Sequence, residues 1–322
     1  MDVLSDVLLA VRLSGAVFFD IDAGSPFVTE SPPPEAIAGR VRADSEHLIA
    51  FHVVLEGACW AFPAEEQGPT VRVSGGEIVI YPAGDANVLS SAPGMRARAN
   101  PALYYHPPDR ALPFPVALNR ESGAERCRLV CGFFGCDTRP FNPLLDSLPR
   151  IVHVPVSEQS WRWMSELLDT AVKARDTPNA GQEAMLTKLS ELMFLEALRA
   201  HIASLPSDSR TWVSGLRDPQ VGAALRLIHG RYGDPWTLER LAHETAMSRS
   251  SFAERFTEFV GMSPMAYLAR WRIQVAARLL RTTSMSVAQV AEQIGYQSDS
   301  ALSRAFKRSV GQTPSAWRQH AR

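Results

Sequence analysis

The 322-residue chain predicts an α+β protein: an N-terminal all-β barrel or sandwich, then a helical hairpin, then an all-α C-terminal domain with two helix-turn-helix units. Three observations predict it. One sequence pattern near the C-terminus recurs after 50 residues, starting at Met247 and again at Gln297. Residues 47 to 135 hold short runs rich in Val, Ile, Leu, Phe and Tyr, punctuated by Gly and Pro. Between these regions lie two apolar stripes at helical spacing.

The repeat pairs Ser248 with Ser298, Ser250 with Ser300, Phe252 with Leu302, Phe256 with Phe306, Val260-Gly261 with Val310-Gly311 and Pro264 with Pro314. A fixed-period recurrence means one structural unit used twice. Upstream the offset falls to 49, pairing Thr237 with Ser286 and Leu241 with Val290, so the second copy carries one extra residue in its turn, assigned to Gly295. Thr237 and Ser286 suit the N-cap of a first helix, and Ser286 with Gln289 makes a capping box. Ser248 and Ser298 suit the caps of second helices that stop at Gly261 and Gly311. Ser263-Pro264 and Thr313-Pro314 then place a cap before a proline at the first helical position. Helix, tight turn and helix in this order form a helix-turn-helix, whose second helix can enter the DNA major groove.

Charge is divided along the chain. Residues 211–322 hold 15 Lys/Arg against 8 Asp/Glu, and residues 1–210 hold 18 against 26, so a whole-chain charge of −1 conceals a basic end of +7 and an acidic remainder of −8. The basic end supplies the phosphate attraction that underlies DNA affinity.

At these residues the chain resembles the AraC/XylS family of transcription regulators. The stretch from Ile294 to Arg318, IGYQSDSALSRAFKRSVGQTPSAWR, is similar to that family's signature. The resemblance spans about residues 218 to 320 and implies seven helices, with a long helix from about Pro264 to Arg281 separating the two units. It further implies promoter DNA as partner, and RNA polymerase where the protein is an activator.

If both second helices enter successive major grooves, one chain reads a site about two turns long, its two elements roughly 34 Å apart. The exposed early positions are then Arg249, Ser250 and Glu254 in the first copy and Asp299, Ser300 and Arg304 in the second. Arg304 is the foremost base reader, since a guanidinium fork matches O6 and N7 of guanine, and the resembling family has a base-contacting Arg at the matching position. Lys307 and Arg308 are expected on phosphate, which positions without specifying sequence.

In the N-terminal region, a strand ending in Glu56-Gly57, then Gly75-Gly76-Glu77-Ile78-Val79-Ile80-Tyr81-Pro82, then Gly84-Asp85-Ala86-Asn87, resembles a cupin of the kind fused to some AraC-type regulators. A catalytic cupin brings several His and a carboxylate to one metal. Here His52 and Glu56 are retained, but Asn87 stands where many cupins have His, and His47 would face away from His52 on a regular strand. A non-catalytic chain without a cofactor is therefore expected, with His52, Asn87 and Cys131 marking a regulatory metal site or an effector pocket. The alternative is a metal-dependent cupin enzyme carrying a DNA-binding domain.

Four cysteines and no apparent signal peptide suit a cytoplasmic, reduced protein rather than a disulfide framework. Cys127, Cys131 and Cys136 fall close together. Cys127 lies between Arg126 and Arg128, where positive charge favours a thiolate. The three are candidate redox sensors, with buried inert thiols as the opposing reading.

Trp161, Met164, Leu167, Leu168 and Val172 form one helical stripe. A second runs from Met185 through Leu189, Leu192, Met193 and Leu198, after a break at Asp176-Thr177-Pro178-Asn179-Ala180-Gly181. They are expected to form an antiparallel pair over residues 156–205 that builds a homodimer interface, as comparable helices do in the resembling family. The expected domains are thus a sensory domain at 1–155, the hairpin, a linker at 206–217 and a DNA-binding domain at 218–322. No apolar run approaches the ~20 residues a membrane span needs.

Overall fold

The computed structural model describes residues 2–41, 45–65, 68–104, 112–122, 125–173 and 180–320. They form two compact units, one of residues 13–136 and 148–204, the other of residues 1–12, 137–147 and 205–322.

The first unit contains strands β1 (Ser14–Gly24), β2 (Val28–Glu30), β3 (His47–Glu56), β4 (Ala58–Pro63), β5 (Val71–Ser74), β6 (Glu77–Tyr81), β7 (Asn87–Ser90), β8 (Phe114–Leu118), β9 (Arg126–Cys136) and β10 (Val152–Pro155). They make a six-stranded sheet in the order β10-β6-β3-β9-β1-β8 and a four-stranded sheet in the order β2-β7-β4-β5. Every pairing is antiparallel except that of β1 with β8. Strands β3 and β9 are buried on both faces over most of their length. This explains why HLIAFHVVL and RLVCGFF read as continuous apolar runs rather than alternating ones.

One face of the large sheet looks toward the small sheet, and the other is covered by helices. Helix α3 (Glu158–Lys173) and helix α4 (Gln182–Ser204) run antiparallel: Ser160 at the start of α3 donates to Glu196 near the end of α4, and Gln182 at the start of α4 donates to the Ala171 carbonyl. Phe194 of α4 packs on Phe134 of β9, which in turn stacks on Phe51 of β3 at 4.4 Å. Gly15 makes this docking possible, because a side chain there would overlap Ser190 of α4. Part of the expected break between the stripes, Asp176 to Asn179, lies outside the described residues.

The second unit is helical: α1 (Val3–Ala10), α5 (Trp212–Gly215), α6 (Pro219–Gly230), α7 (Leu238–Glu244), α8 (Arg249–Val260), α9 (Pro264–Thr282), α10 (Val287–Gln293), α11 (Asp299–Val310) and α12 (Pro314–His320); the single turn α2 (Ala38–Val41) belongs to the first unit. The capping expected from the sequence is present. Thr237, Ser248, Ser263 and Ser298 each accept a backbone N–H at their helix starts, and Ser286 and Gln289 exchange the two bonds of a capping box. Gly261 and Gly311 end α8 and α11 in the left-handed conformation, at φ 74° and 83°.

The inserted turn residue is not Gly295. Gly295 has φ 78° and its counterpart Ala246 has φ 54°. The amide of Gly295 bonds to Glu292 and that of Ala246 to His243, while Tyr296 bonds back to Ala291 as Met247 does to Ala242. Both turns follow the same path that far, so the additional residue in the second copy is Gln297, just before the Ser298 cap.

Helix α9 is the axis of this unit, burying Tyr267, Leu268, Trp271, Ile273, Val275, Ala276 and Leu280. Trp212 Nε1 donates to the Tyr267 hydroxyl at 2.8 Å, and that hydroxyl shares a hydrogen bond of 2.9 Å with His229 Nε2, tying α5, α6 and α9 through one buried relay. Residues 1–12 and 137–147 complete the unit. Asp137 takes a two-bond contact from Arg12 at 2.8 Å and pairs with Arg281 of α9.

Candidate functional site

Helices α8 and α11 begin at matched serine caps, so their first turns present the same positions outward. Arg249, Ser250 and Glu254 on α8 and Asp299, Ser300, Arg304, Lys307 and Arg308 on α11 are all exposed, while Phe252, Phe256, Leu302 and Phe306 are buried against the unit. The two surfaces differ chemically. Among the described residues, Arg304, Lys307 and Arg308 form no ion pair with a carboxylate, whereas Arg249 pairs with Glu239 of α7 at 2.8 Å. Asp299 Oδ1 accepts the Ser300 backbone N–H at 2.7 Å and is engaged at the helix start.

Several other basic residues of the unit are used structurally. Arg255 of α8 makes a two-bond pair with Asp218, the N-cap of α6, and the hydrogen bonds to that carboxylate hold it below its ordinary pKa against the opposing effect of burial. Arg272 donates to the carbonyls of Tyr232 and Asp234, each at 2.7 Å, and Arg318 donates to those of Leu280 and Met285. These roles depend on long-range partners and had no sequence signal. Among the described residues, Arg304, Lys307 and Arg308 thus place three exposed cations without a carboxylate partner on one helix, α11.

A second site lies between the two sheets. Its wall is built from alternate residues on facing strands: Phe19 and Ile21 of β1, Ala50 and His52 of β3, Cys131 and Phe133 of β9, with Asn87 and Leu89 of β7 opposite. His52 and Cys131 are direct cross-strand partners in the β3–β9 register. The three residues singled out from the sequence, His52, Asn87 and Cys131, thus line one cavity of about 50 Å³. His47 is elsewhere, bonded through Nε2 to the Pro82 carbonyl at 2.7 Å.

The described residues that line the cavity carry no charged side chain. Burial lowers the His52 pKa to about 4 despite its bond to Asn87, and burial pushes the Cys131 thiol well up. His52 Nε2 lies 2.8 Å from Asn87 Oδ1, and the Asn87 amide nitrogen points to the Asp85 carbonyl. A metal centre does not fit this donor set. One imidazole nitrogen is engaged by an amide, Glu56 is exposed, and no group of three or more His, Cys, Asp or Glu converges among the described residues.

All four cysteines are buried free thiols. The sequence reading of Cys127 requires a correction of cause. Arg126 pairs with Asp22 and Arg128 with Asp169 and Asp20, so both neighbouring cations are already answered by carboxylates. What lowers the Cys127 pKa is a hydrogen bond with Cys59 of β4, across the two sheets, and the same bond raises Cys59. Cys59 was missed because it is distant in sequence.

Comparison with known proteins agrees with both halves. Residues 2–203 match the family model described as Cupin, and residues 241–320 match that described as Helix-turn-helix domain. An AraC-like transcription regulator of Streptomyces lividans is 32% identical over 327 residues, covering 99% of each chain. The HTH-type transcriptional regulator AlkR of Acinetobacter baylyi is 29% identical, covering 86% of this chain and 90% of its own. Among solved structures, the DNA-binding domain of AdpA in complex with a target DNA is 33% identical, covers 32% of this chain and 92% of its own, and has a TM-score of 0.31. With a full-length relative and both family models in agreement, the chain belongs to the AraC family of helix-turn-helix transcription regulators and carries a cupin domain at its N-terminus.

Proposed function

We propose that α8 and α11 read one bipartite promoter site and that a small effector, held in the cavity between the sheets, changes occupancy of that site. The carrying observation is the outward surface of α11, where Arg304, Lys307 and Arg308 are exposed without a carboxylate partner among the described residues. Arg304 contacts a base edge, and Lys307 and Arg308 contact phosphate. On α8, Arg249, Ser250 and Glu254 face the second element, with Asp299 and Ser300 near the backbone at the start of α11. Selection of bound sequences from random DNA by the full chain tests this. The expected product is two dissimilar elements about 10 bp apart; a single short element would remove α8 from the reading surface.

A homodimer fits the same reading. The buried stripes of α3 and α4 are spent on their own sheet and on each other, which leaves Leu167 and Leu192 outward at 41% and 47% exposure. A homodimer through these residues, acting in the cytoplasm and contacting RNA polymerase where it activates, is the proposed assembly. No described helix is long and apolar enough to cross a membrane. Light scattering on Leu167→Glu/Leu192→Glu protein is expected to report monomers.

A second reading has its own observation. The hydrogen bond from Cys59 lowers the Cys127 pKa whereas burial raises that of Cys131, so an oxidant such as hypochlorous acid would act at the Cys59–Cys127 pair rather than at Cys131. In that reading Cys127→Ser abolishes oxidant-dependent change in DNA binding and Cys131→Ser does not. The enzyme alternative finds no support in the donor set around His52, and metal analysis of the purified chain checks it.

A further inference from the structure

A cleft of about 250 Å³ lies in the helical unit, at the C-terminal end of α8. Its walls are aromatic. Phe141, Trp212, Phe259 and Tyr267 line it, with Phe141 edge-on to Tyr267 at 5.5 Å and Trp212 Nε1 bonded to the Tyr267 hydroxyl. Among the described residues that line it, Asp146, Arg210 and Glu258 carry charge. Asp146 comes from the segment 137–147 and Arg210 from the stretch before α5, so parts of the chain distant from α8 in sequence meet there within one compact unit.

The three charges are not equivalent. Arg210 Nε donates to Glu258 at 2.8 Å, and its Nη1 donates to the carbonyls of Ser207 and Ser209 at 3.3 and 3.2 Å, so this guanidinium and the Glu258 carboxylate answer one another. The Asp146 carboxylate makes no hydrogen bond or ion pair with a described residue. Desolvation pushes its carboxyl up from the ordinary value, opposed by the charge of Arg270. A further positive group brought beside Asp146 would favour the ionised carboxylate.

Two further observations favour a cation. The Phe259 ring carries the guanidinium groups of Arg210 and Arg255 at 4.8 and 5.7 Å, and the Phe141 ring carries that of Arg270 at 5.6 Å, so these aromatic walls already hold positive groups. Helix α8 ends at Val260 and Gly261, which both line the cleft, and a helix C-terminus bears partial negative charge. The volume suits an organic molecule of on the order of ten non-hydrogen atoms. We infer that this cleft binds a small arylalkyl ammonium ion, with its ammonium group on Asp146 and its apolar body against the aromatic walls. The site is separate from the cavity between the sheets. Its ligand would join segment 137–147 to the end of α8, the helix whose first turn carries Arg249.

Full-length protein with ¹⁵N-labelled tryptophan is titrated with 2-phenylethylammonium, with 2-phenylethanol, which has a similar shape without the charge, and with phenylacetate. The Trp212 indole resonance, assigned through Trp212→Phe, reports on the cleft. The expected result is saturable binding of the ammonium ion with a shift of that resonance, roughly tenfold weaker binding of the alcohol, and still weaker binding of phenylacetate. Asp146→Asn should reduce binding of the ammonium ion to the level of the alcohol, and Asp146→Glu, which keeps the charge, should retain most of it. Should the Asn variant not fold, the comparison of the two probes on the unaltered chain decides. The inference is overturned if the ammonium ion does not bind, if it binds no better than the alcohol, or if its binding leaves Trp212 unshifted or survives Asp146→Asn unchanged.

Discussion

Gln274, buried in the middle of α9, donates its side-chain amide to the carbonyl of Ala10 at 3.0 Å, and its own carbonyl oxygen accepts the backbone N–H of Phe141, also at 3.0 Å. One side chain of the DNA-reading axis thereby satisfies two backbone groups from the far N-terminus and from the segment after β9. Gln274→Leu keeps the volume and orphans both groups. At about 1 to 2 kcal/mol for each unmet buried group, the helical unit should lose on the order of 2 to 4 kcal/mol in urea denaturation followed by fluorescence. A loss under about 0.5 kcal/mol, the scale of a neutral surface change, would mean that neither bond holds the segments in place.

The two turns give opposite expectations for glycine. Ala246 occupies the left-handed region at φ 54°, which is unfavourable for a residue with a Cβ, so Ala246→Gly should be neutral or stabilising by up to about 1 kcal/mol. Gly295 has the same conformation, but a Cβ there would also overlap the Gly233 carbonyl oxygen and Arg272 Nη2. Arg272 would lose its hold on Tyr232 and Asp234. Gly295→Ala should cost about 2 kcal/mol or more. Thermal melts of the two variants in parallel check the contrast, and equal effects would refute it.

Buried histidines set a pH dependence in each unit. Burial lowers His52 to about 4 and His229 to about 3 from 6.5. Both folded values lie below the unfolded one, so on acidification the unfolded chain binds these protons first and stability falls as pH drops below about 6.5. Between pH 7 and 5 each site should remove about 2 kcal/mol. The Asp6 carboxylate sits 4.0 Å from His229 Nδ1, and burial outweighs it, so the ring stays neutral well below its ordinary value. Chemical denaturation at the two pH values, with His52→Asn as comparison, tests this. The variant should lose the pH-dependent part in the β-sheet unit alone.

What could be read from the sequence divides by range. The helix-turn-helix units were legible because their determinants are local: Thr237, Ser248, Ser286 and Ser298 each bond within three residues, and the apolar spacing repeats in both copies. His52 and Asn87 were legible as a pair through their places in a strand motif. Gln274 reaching Ala10, Asp218 holding Arg255 and Cys59 meeting Cys127 were not, since each pairing spans tens to hundreds of residues and leaves no periodic trace. Gly295 misled for a related reason. Glycine is the expected residue at a left-handed turn, and only the backbone bonds of Ala246 reveal that the first copy makes the same turn without it.

Arg304 and Lys307 stand one turn apart on α11, both exposed, and are expected to fail differently. A fork on guanine contributes discrimination at one base, so Arg304→Ala should weaken operator binding by about 1 to 3 kcal/mol and relax preference at a single position. A phosphate contact carries no sequence information, so Lys307→Ala should weaken specific and random DNA alike and flatten the salt slope by about 1. Arg249 lies between these cases: its pairing with Glu239 at 2.8 Å must be broken or shared on DNA, so Arg249→Ala should have the smaller effect. Binding titrations at several salt concentrations on operator and scrambled duplexes separate the three. Unchanged base preference in Arg304→Ala would assign the reading of that position to another residue of α11.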